Sequence, residues 1–226
     1  MNAIDFSRFS PVAPVVPQGR FVPFDFTSAN NNLTEEILND INLFCAYINR
    51  ELINKGADFG IGGYNEHRTI YSRSRLFDPG EGNEEPRRLH LGIDIWAKAG
   101  TPVMAPLKAV VHSFANNNYR GDYGATIILM HEVEGLRFFS LYGHLDAASL
   151  NTIFEGKIIE AGTLFARFGN PDENGYWPPH LHFQLILDME GKKGDYPGVC
   201  RFSERQRWLS NCPDPAGLLK AGGLIN

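Results

Sequence analysis

The sequence predicts a mainly β protein whose core is an antiparallel β-sheet. Apolar and polar residues alternate with the two-residue period of a β-strand through much of the segment 90–189. Turn-rich stretches interrupt this alternation at Asn116–Gly124 and Asn170–Pro179. Around these interruptions, strands are predicted at Val103–Phe114, Thr126–Val133, Arg137–Leu145, Lys157–Phe168 and Leu181–Met189.

One helix is predicted ahead of the sheet, over residues 32–55. Its apolar side chains recur at the spacing of an amphipathic helix, at Ile37, Ile41, Phe44, Ile48 and Leu52. Asn32 and Glu35 resemble a capping box at its start, and Gly56 is expected to end it.

The remaining segments are predicted to be irregular or only briefly helical. Residues 1–31 are rich in Pro, Phe and Asn, which predicts an extended arm lying on the domain. Residues 57–88 are rich in Gly, Arg and Glu and are predicted to form a loop that passes close to His90. Short helical segments are predicted at Ala147–Phe154 and Ser203–Leu209.

The length of 226 residues suits one domain with embellishments. We expect residues 1–88 to form an N-terminal arm, helix and loop packed on the core, and residues 89–226 to form a β domain with a C-terminal tail. A formal charge of -5 without a Lys/Arg stripe argues against nucleic-acid binding. No run of about 18 apolar residues is present, so no membrane span is predicted. The sequence gives no indication of the oligomeric state.

The N-terminal sequence and the cysteines favour a cytoplasmic location. The chain does not begin with a basic segment followed by a long apolar run, so no secretory signal is predicted. Cys45, Cys200 and Cys212 are odd in number and lack the spacing of a metal site, so reduced thiols are expected. Secretion by a non-standard route stays open.

Three short motifs, far apart in the sequence, hold four of the seven histidines and one aspartate. The first is His90-Leu-Gly-Ile-Asp94, which we interpret as one strand because its apolar residues alternate and include β-branched Ile. On this interpretation His90, Gly92 and Asp94 share a face. The glycine would then leave space above the strand for a metal and its water.

The other two motifs also have the period of a strand. In P-H-L-H-F at residues 179–183 the two histidines share one face, while apolar residues anchor the opposite face to a core. In Y-G-H-L at residues 142–145, Tyr142 and His144 are predicted to share a face. Tyr142 is expected either to present its hydroxyl to the site or to pack.

This set of residues suits a catalytic zinc, which takes three protein ligands and keeps a fourth position for water or substrate. His90, Asp94 and His182 are the predicted ligands, and His144 and His180 are the predicted catalytic residues beside them. A lone histidine in a strand is more often structural. Three histidines without such a motif are therefore predicted to be structural or on the surface: His67, His112 and His131.

The motifs together resemble those of the lysostaphin/LytM-type zinc metallopeptidases, many of which cut peptidoglycan cross-bridges. That family's stretches H-x-G-x-D-I, A-x-x-G-T-P-V-x-A, Y-x-H-L and P-H-L-H-F match residues 90–95, 97–105, 142–145 and 179–183. The resemblance implies an antiparallel β core of the duplicated hybrid motif type and one zinc ion per chain. It also implies that His182 binds the metal and that His180 and His144 are catalytic.

The chain departs from the family pattern around these motifs. Gln184 stands where Glu is common, residues 176–179 replace a Ser/Thr-Gly stretch, and residues 107–110 replace D-G-x-V. None of these differences affects the three predicted metal ligands or the two predicted catalytic histidines. They indicate that the rim of the cleft differs from that of other family members. Three aromatic residues are expected either to line the cleft or to pack at its rim: Trp96, Tyr176 and Trp177.

The predicted function is a zinc-dependent endopeptidase that hydrolyses a peptide bond in a peptidoglycan-derived peptide (a muropeptide) or in a Gly-containing peptide. His180 is the expected general base and His144 the partner of the oxyanion or the leaving group, although the two roles are interchangeable. Two alternatives stay open. One is a non-catalytic metal-binding docking module, and the other is a mononuclear iron enzyme, in which His144 and His180 would have no role.

Overall fold

The computed structural model describes residues 4–16, 19–77 and 84–225. Its strands are β1 (Phe21–Phe24), β2 (Phe59–Gly62), β3 (Arg87–His90), β4 (Ile93–Trp96), β5 (Pro102–Met104), β6 (Ala109–Asn117), β7 (Gly124–Val133), β8 (Leu136–Leu145), β9 (Ile158–Ile159), β10 (Leu164–Arg167), β11 (His180–Ile186) and β12 (Val199–Arg201). Its α-helices are α1 (Glu35–Asn39), α2 (Ile41–Asn54), α3 (Arg205–Asn211) and α4 (Ala216–Ala221). Short 3-10 helices form at Phe6–Phe9, Ile70–Arg73, Ala147–Thr152 and Phe202–Glu204.

Within the described ranges, eight strands form the main sheet in the order β1-β2-β4-β11-β8-β7-β6-β9. Neighbouring strands of this sheet are antiparallel, apart from the parallel pair of β1 and β2. Two small sheets accompany it, formed by β5 with β10 and by β3 with β12. The predicted fold class, a mainly antiparallel β core with an N-terminal helix, is confirmed.

Strand β11 is central to the main sheet because it pairs with β4 on one side and with β8 on the other. Leu181, Phe183 and Leu185 point into the largest apolar cluster, as the two-residue alternation predicts. His180 and His182 lie on the opposite face. The core therefore holds both histidines on a strand that is buried along its whole length.

Two of the predicted strands are each divided by a turn. The segment Val103–Phe114 contains the end of β5 and most of β6, with Pro106 between them. The segment Lys157–Phe168 contains β9 and β10, with Gly162 at a φ of +77° in the intervening turn. The other three predicted strands match β7, β8 and β11 apart from a few end residues.

The helix predicted over residues 32–55 forms as two helices rather than one, α1 and α2, with a break at Asp40. The Asp40 carboxylate accepts hydrogen bonds from the backbone N–H groups of Asn42 and Leu43 and so caps α2. The cap of α1 is Thr34 rather than the predicted Asn32. The predicted end at Gly56 is confirmed, with a φ of +56°.

The loop predicted over residues 57–88 is wrong at two places in its described part, because this segment contains β2 and the first half of β3. Gly60 and Gly62 interrupt the apolar alternation by which β2 could have been predicted. Neighbouring side chains pack too closely here for a larger residue, since a Cβ on Gly60 would lie 2.5 Å from the Phe24 ring. Residues 78–83 of the predicted loop lie outside the described residues.

The predicted extended arm also contributes to the main sheet, since β1 pairs with β2 in the register Phe21↔Phe59. Residues 1–3, 17 and 18 of that arm lie outside the described part of the chain. The division at residues 88 and 89 stays a prediction, although two strands of the main sheet precede it.

The short helical segments have the predicted positions. Ala147–Thr152 is a 3-10 helix capped by Asp146, and α3 overlaps the predicted Ser203–Leu209. Helix α4 was not predicted. No helix in the described ranges has both the length and the apolar character that crossing a bilayer would require.

Candidate metal centre

The pairing of β4, β11 and β8 brings the three histidine motifs together. His182 is opposite Asp94 in the β4 register and opposite Gly143 in the β8 register. His90, at the end of β3, lies beside both residues. The three predicted metal ligands thus meet in space.

The spacing of the three side chains suits one tetrahedral metal ion. The Nε2 atom of His90 lies 2.9 Å from Nδ1 of His182 and 3.2 Å from Oδ1 of Asp94. The third edge, between His182 Nδ1 and Asp94 Oδ1, measures 3.1 Å. Zinc bonds of about 2.0–2.1 Å at tetrahedral angles place neighbouring ligand atoms about 3.3 Å apart. The triangle is therefore close to the required size.

Hydrogen bonds at the far side of each imidazole set the tautomer that a metal needs. The backbone carbonyl of Gly63 lies 2.8 Å from Nδ1 of His90, and the Gln184 Oε1 atom lies 2.9 Å from Nε2 of His182. Because these oxygens accept, the contacted nitrogens carry the hydrogens. The opposite nitrogens then present lone pairs to the centre, as metal-binding imidazoles require.

The protonation states also suit metal binding. Burial lowers the pKa of His90 to about 3, so its imidazole is neutral near pH 7. Burial disfavours the charged form of Asp94, but His90 and the Arg68 guanidinium hold the pKa of its carboxyl well below the usual value. A buried neutral imidazole and a buried carboxylate are the donor forms that bind zinc.

The predicted single strand across His90 and Asp94 is wrong. β3 and β4 belong to different sheets, and the chain changes direction at Leu91 and Gly92. The space predicted above Gly92 is filled, because a Cβ there would lie 2.8 Å from the His182 ring and 2.7 Å from the carbonyl oxygen of Phe183. Gly92 is needed for the close approach of His182 rather than for an open water site.

His144 and His180 form a second pair of imidazoles beside the ligand triangle. Their ring centroids are 4.1 Å apart, and Trp96 stacks on His180 at 3.9 Å. The carbonyls of Asn174 and Pro178 each accept from Nδ1, at 2.8 Å, so that Nε2 is the lone-pair nitrogen of both rings. Burial lowers the pKa of His180 to about 4 and that of His144 well below its usual value. Both rings are therefore neutral near pH 7.

The shared face predicted for Tyr142 and His144 is wrong. His144 has a φ of +62°, which turns its side chain away from the regular alternation of β8. Tyr142 packs in the core between Phe165 and Phe183, and its hydroxyl accepts a hydrogen bond from Ser140. Of the two roles expected for Tyr142, the structure shows packing.

The cleft beside the candidate ligands has aromatic walls. Trp96 and Trp177 line it and are buried at 0 % and 3 % exposure, whereas Tyr176 is 43 % exposed outside this lining. Trp96 also packs against α2 through Phe44, with ring centroids 6.1 Å apart. The N-terminal helix thus supports the ring that stacks on His180.

Sequence reasoning missed several residues of this cleft. The hydroxyl of Tyr123 lies 3.4 Å from His182 Nε2, and Asp122 and Asp195 line the same cleft. Burial, together with the charge of Asp195, raises the pKa of the Asp122 carboxyl. Tyr123 and Asp122 fall in the turn-rich stretch that separates two predicted strands, so no periodic signal marked them.

The three histidines outside the motifs are not part of the ligand triangle. His131 is buried and contacts Ser140 Oγ at 2.7 Å and the carbonyl of Lys108. His112 contacts Ser113, and His67 is exposed. The prediction of structural or surface roles for these three residues agrees with their positions.

Residues 88–194 match the model of Peptidase family M23. This segment is an M23 domain. The predicted family, that of the lysostaphin/LytM-type peptidases, is thereby confirmed. The three predicted metal ligands and the two predicted catalytic histidines all lie within the M23 segment, whereas β1, β2, α1 and α2 precede it.

Comparison with known proteins also finds similar peptidases. The chain is 29% identical over 107 residues to the L-Ala–D-Glu endopeptidase of Bacillus subtilis (strain 168), a match that covers 45% of this chain and 31% of the relative. The chain therefore spans about a third of the length of this curated relative. It shares 28% identity with the catalytic domain of lysostaphin from Staphylococcus simulans, covering 59% of this chain and 80% of that chain at a TM-score of 0.40. A zinc-containing peptidase from Vibrio cholerae is 24% identical, covering 44% of this chain and 28% of that chain, at a TM-score of 0.37.

The close approach at Gly92 can be tested by Gly92→Ala. The added methyl group would displace the His182 ring or the carbonyl of Phe183, so we expect metal affinity to fall. Competition with a chromophoric chelator measures that affinity. Gly63→Ala is the matched control, because a Cβ there meets nothing nearer than 3.6 Å and the carbonyl that accepts from His90 is kept. Equal metal affinity in Gly92→Ala and the unaltered protein would contradict the packing described here.

The lowered pKa values of His90, His144 and His180 predict how stability depends on pH. Below about pH 6.5 the unfolded chain binds protons on these imidazoles while the folded chain does not, so stability falls as the pH is lowered. Each such group contributes a slope of up to about 1.4 kcal/mol per pH unit. Urea unfolding of the chelator-treated protein between pH 7 and about pH 4.5 should show the loss, and His180→Asn should reduce the slope. A free energy of unfolding that is constant over this range would contradict the prediction.

Proposed function

We propose that this chain is a zinc-dependent metalloendopeptidase that hydrolyses a peptide bond. In this proposal His90, Asp94 and His182 bind one zinc ion per chain, and His144 and His180 are the catalytic histidines. The observation that carries the proposal is the buried triangle of two imidazole nitrogens and one carboxylate oxygen, with edges of 2.9 to 3.2 Å, inside an M23 domain.

The proposed chemistry divides between the ion and the protein. A zinc ion bound by these ligands would polarise the scissile carbonyl and lower the pKa of a bound water to about 7. His180 is two residues from His182 on the same face of β11, and its neutral Nε2 is free to accept a proton. The carbonyl of Pro178 fixes the ring, and stacking on Trp96 limits its rotation.

His144 is proposed to assist the oxyanion or the leaving amine. Its Nδ1–H donates to Asn174, so Nε2 becomes a donor only after it has taken up a proton. The two rings are adjacent, with centroids 4.1 Å apart. A proton that one ring accepts is therefore close to the part of the substrate that the other ring would assist. This proximity also explains why the two roles are interchangeable.

The proposed substrate is a peptide from peptidoglycan, such as a muropeptide, or a Gly-containing peptide. The M23 match and the similarity to an endopeptidase that acts between L-Ala and D-Glu support this class. The cytoplasmic location stays a prediction.

Metal analysis tests the ligand assignment. Asp94→Ala and His182→Ala remove atoms of the triangle, so we expect them to lose most of the bound zinc, whereas His180→Ala should retain much of it. Plasma mass spectrometry of proteins purified with and without added zinc gives the stoichiometry. If His180→Ala lost the metal while His182→Ala kept it, the roles within this pair would be reversed. Iron in place of zinc would favour the alternative of a mononuclear iron enzyme.

Peptide cleavage tests the catalytic assignment. Mass spectrometry of muropeptides and short Gly-containing peptides incubated with the zinc-loaded protein should identify the bond that is cut. Loss of a proton acceptor typically costs about 10²–10⁴-fold in rate, and loss of an oxyanion partner about 10²–10³-fold. His180→Ala and His144→Ala should therefore keep zinc and fold but lose activity by these factors. A zinc-loaded double variant that cleaved at the unaltered rate would contradict the mechanism, and zinc binding without cleavage of any peptide would favour the docking module.

A further inference from the structure

We propose that Arg68 is a positioning residue for the metal centre, acting through Asp94 and through the carbonyl of Gly63. Arg68 lies outside the M23 segment, on the stretch between β2 and the 3-10 helix Ile70–Arg73. This inference rests on the proposed zinc site and extends it to the part of the chain that precedes the family match.

Arg68 is completely buried, with an exposure of 0 %. Its guanidinium forms an ion pair with Glu66, from Nε to Oε2 at 2.6 Å, and a second one from NH1 to Oδ2 of Asp94. It also lies over the ring of Phe26, 5.3 Å from the ring centroid. A buried guanidinium is stable only where carboxylates and other acceptors surround it. The contacts with Glu66 and Asp94 therefore fix where the Arg68 guanidinium lies.

The contact with Arg68 divides the two oxygens of Asp94 between different tasks. Oδ2 is bound by the guanidinium, while Oδ1 lies 3.2 Å from His90 Nε2 and 3.1 Å from His182 Nδ1. Because the guanidinium is planar and directional, it fixes the rotation of the carboxylate about its own axis. One oxygen is thereby presented to the candidate metal position and the other is withheld from it.

A second contact links Arg68 to the ligand His90. The carbonyl oxygen of Gly63 accepts from Arg68 NH2 at 3.2 Å and from His90 Nδ1 at 2.8 Å. The same guanidinium therefore fixes the carbonyl that determines the tautomer and the orientation of His90. Two of the three candidate ligands depend on one side chain.

The chain leaves room for this guanidinium at Gly62. A Cβ on that residue would lie 2.6 Å from Arg68 NH2, and Gly62 is paired with Asp94 in the register of β2 and β4. The glycine that obscured β2 in the sequence thus allows the arginine to reach the ligand. Strand β2 accordingly contributes to the metal centre as well as to the sheet.

Two variants separate orientation from charge. Arg68→Met keeps much of the side-chain volume and removes both the charge and the hydrogen bonds. Arg68→Lys keeps the charge but cannot bind Asp94 and Gly63 with a planar fork. Loss of such an orienting partner typically lowers metal affinity about 10–100-fold. If Arg68 acted only through its positive charge, Arg68→Met would bind zinc more tightly and Arg68→Lys would be unchanged.

We expect zinc affinity, measured by chelator competition, to fall by about 10–100-fold in Arg68→Met and to fall in Arg68→Lys as well. The visible spectrum of the cobalt-loaded protein, which reports ligand geometry, should change in both variants. Arg73→Met is the matched control, since Arg73 binds the carbonyl of Tyr176 and lies over Trp177 without contacting a candidate ligand. Its zinc affinity should be unchanged.

Separate outcomes identify which claim fails. Unaltered protein that binds neither zinc nor cobalt would overturn the proposed function and this inference with it. Unaltered protein that binds zinc, with Arg68→Lys showing the same affinity and the same cobalt spectrum, would overturn the role of Arg68 alone. Urea unfolding of the metal-free proteins tests whether Arg68 acts on folding alone. In that case both variants would have a lower free energy of unfolding, while their folded molecules would bind zinc as tightly as the unaltered protein. If Arg68→Met does not fold, Arg68→Lys decides the question by the same two measurements.

Discussion

The burial of strand β11 is the constraint on which the rest of this structure depends. Leu181, Phe183 and Leu185 are fully buried in the core, so the strand cannot rotate or slip by one residue without exposing all three. That register fixes His180 and His182 on the opposite face. The pairing with β4 then places Asp94 beside His182, and the pairing with β8 places the end of that strand, with His144, next to the site.

Desolvation gives the site its chemical character. The four motif histidines are buried, and each has one ring nitrogen held by a protein oxygen: a backbone carbonyl for His90, His144 and His180, and an amide oxygen for His182. The hydrogen bonds offset part of the cost of burial and leave the other nitrogen as a lone-pair donor. An imidazole that is held in place with a free lone pair suits both metal binding and proton transfer.

The sequence predicted the features that depend on local alternation and on motif spacing. The faces of β11, the antiparallel core and the meeting of His90, Asp94 and His182 follow from patterns within a few residues, supported by the family resemblance. The predictions failed where backbone geometry overrides the pattern. The turn at Gly92 divides one predicted strand, the positive φ of His144 reverses a predicted face, and Asp40 interrupts a continuous helical period. Arg68 carried no signal, because its importance arises from a contact with Asp94, 26 residues away in the sequence.

The segment before the M23 domain packs against the candidate metal centre and contributes residues that support it. Helix α2 supports Trp96, strand β2 pairs with β4, and Arg68 reaches Asp94. In the proposed function, the triangle of His90, Asp94 and His182 binds the catalytic metal. Anomalous diffraction at the zinc absorption edge, from crystals of the zinc-loaded protein, tests this assignment. We expect one anomalous peak per chain between His90 Nε2, His182 Nδ1 and Asp94 Oδ1. A peak between His144 and His180, or no peak at the triangle in crystals that contain zinc, would contradict it.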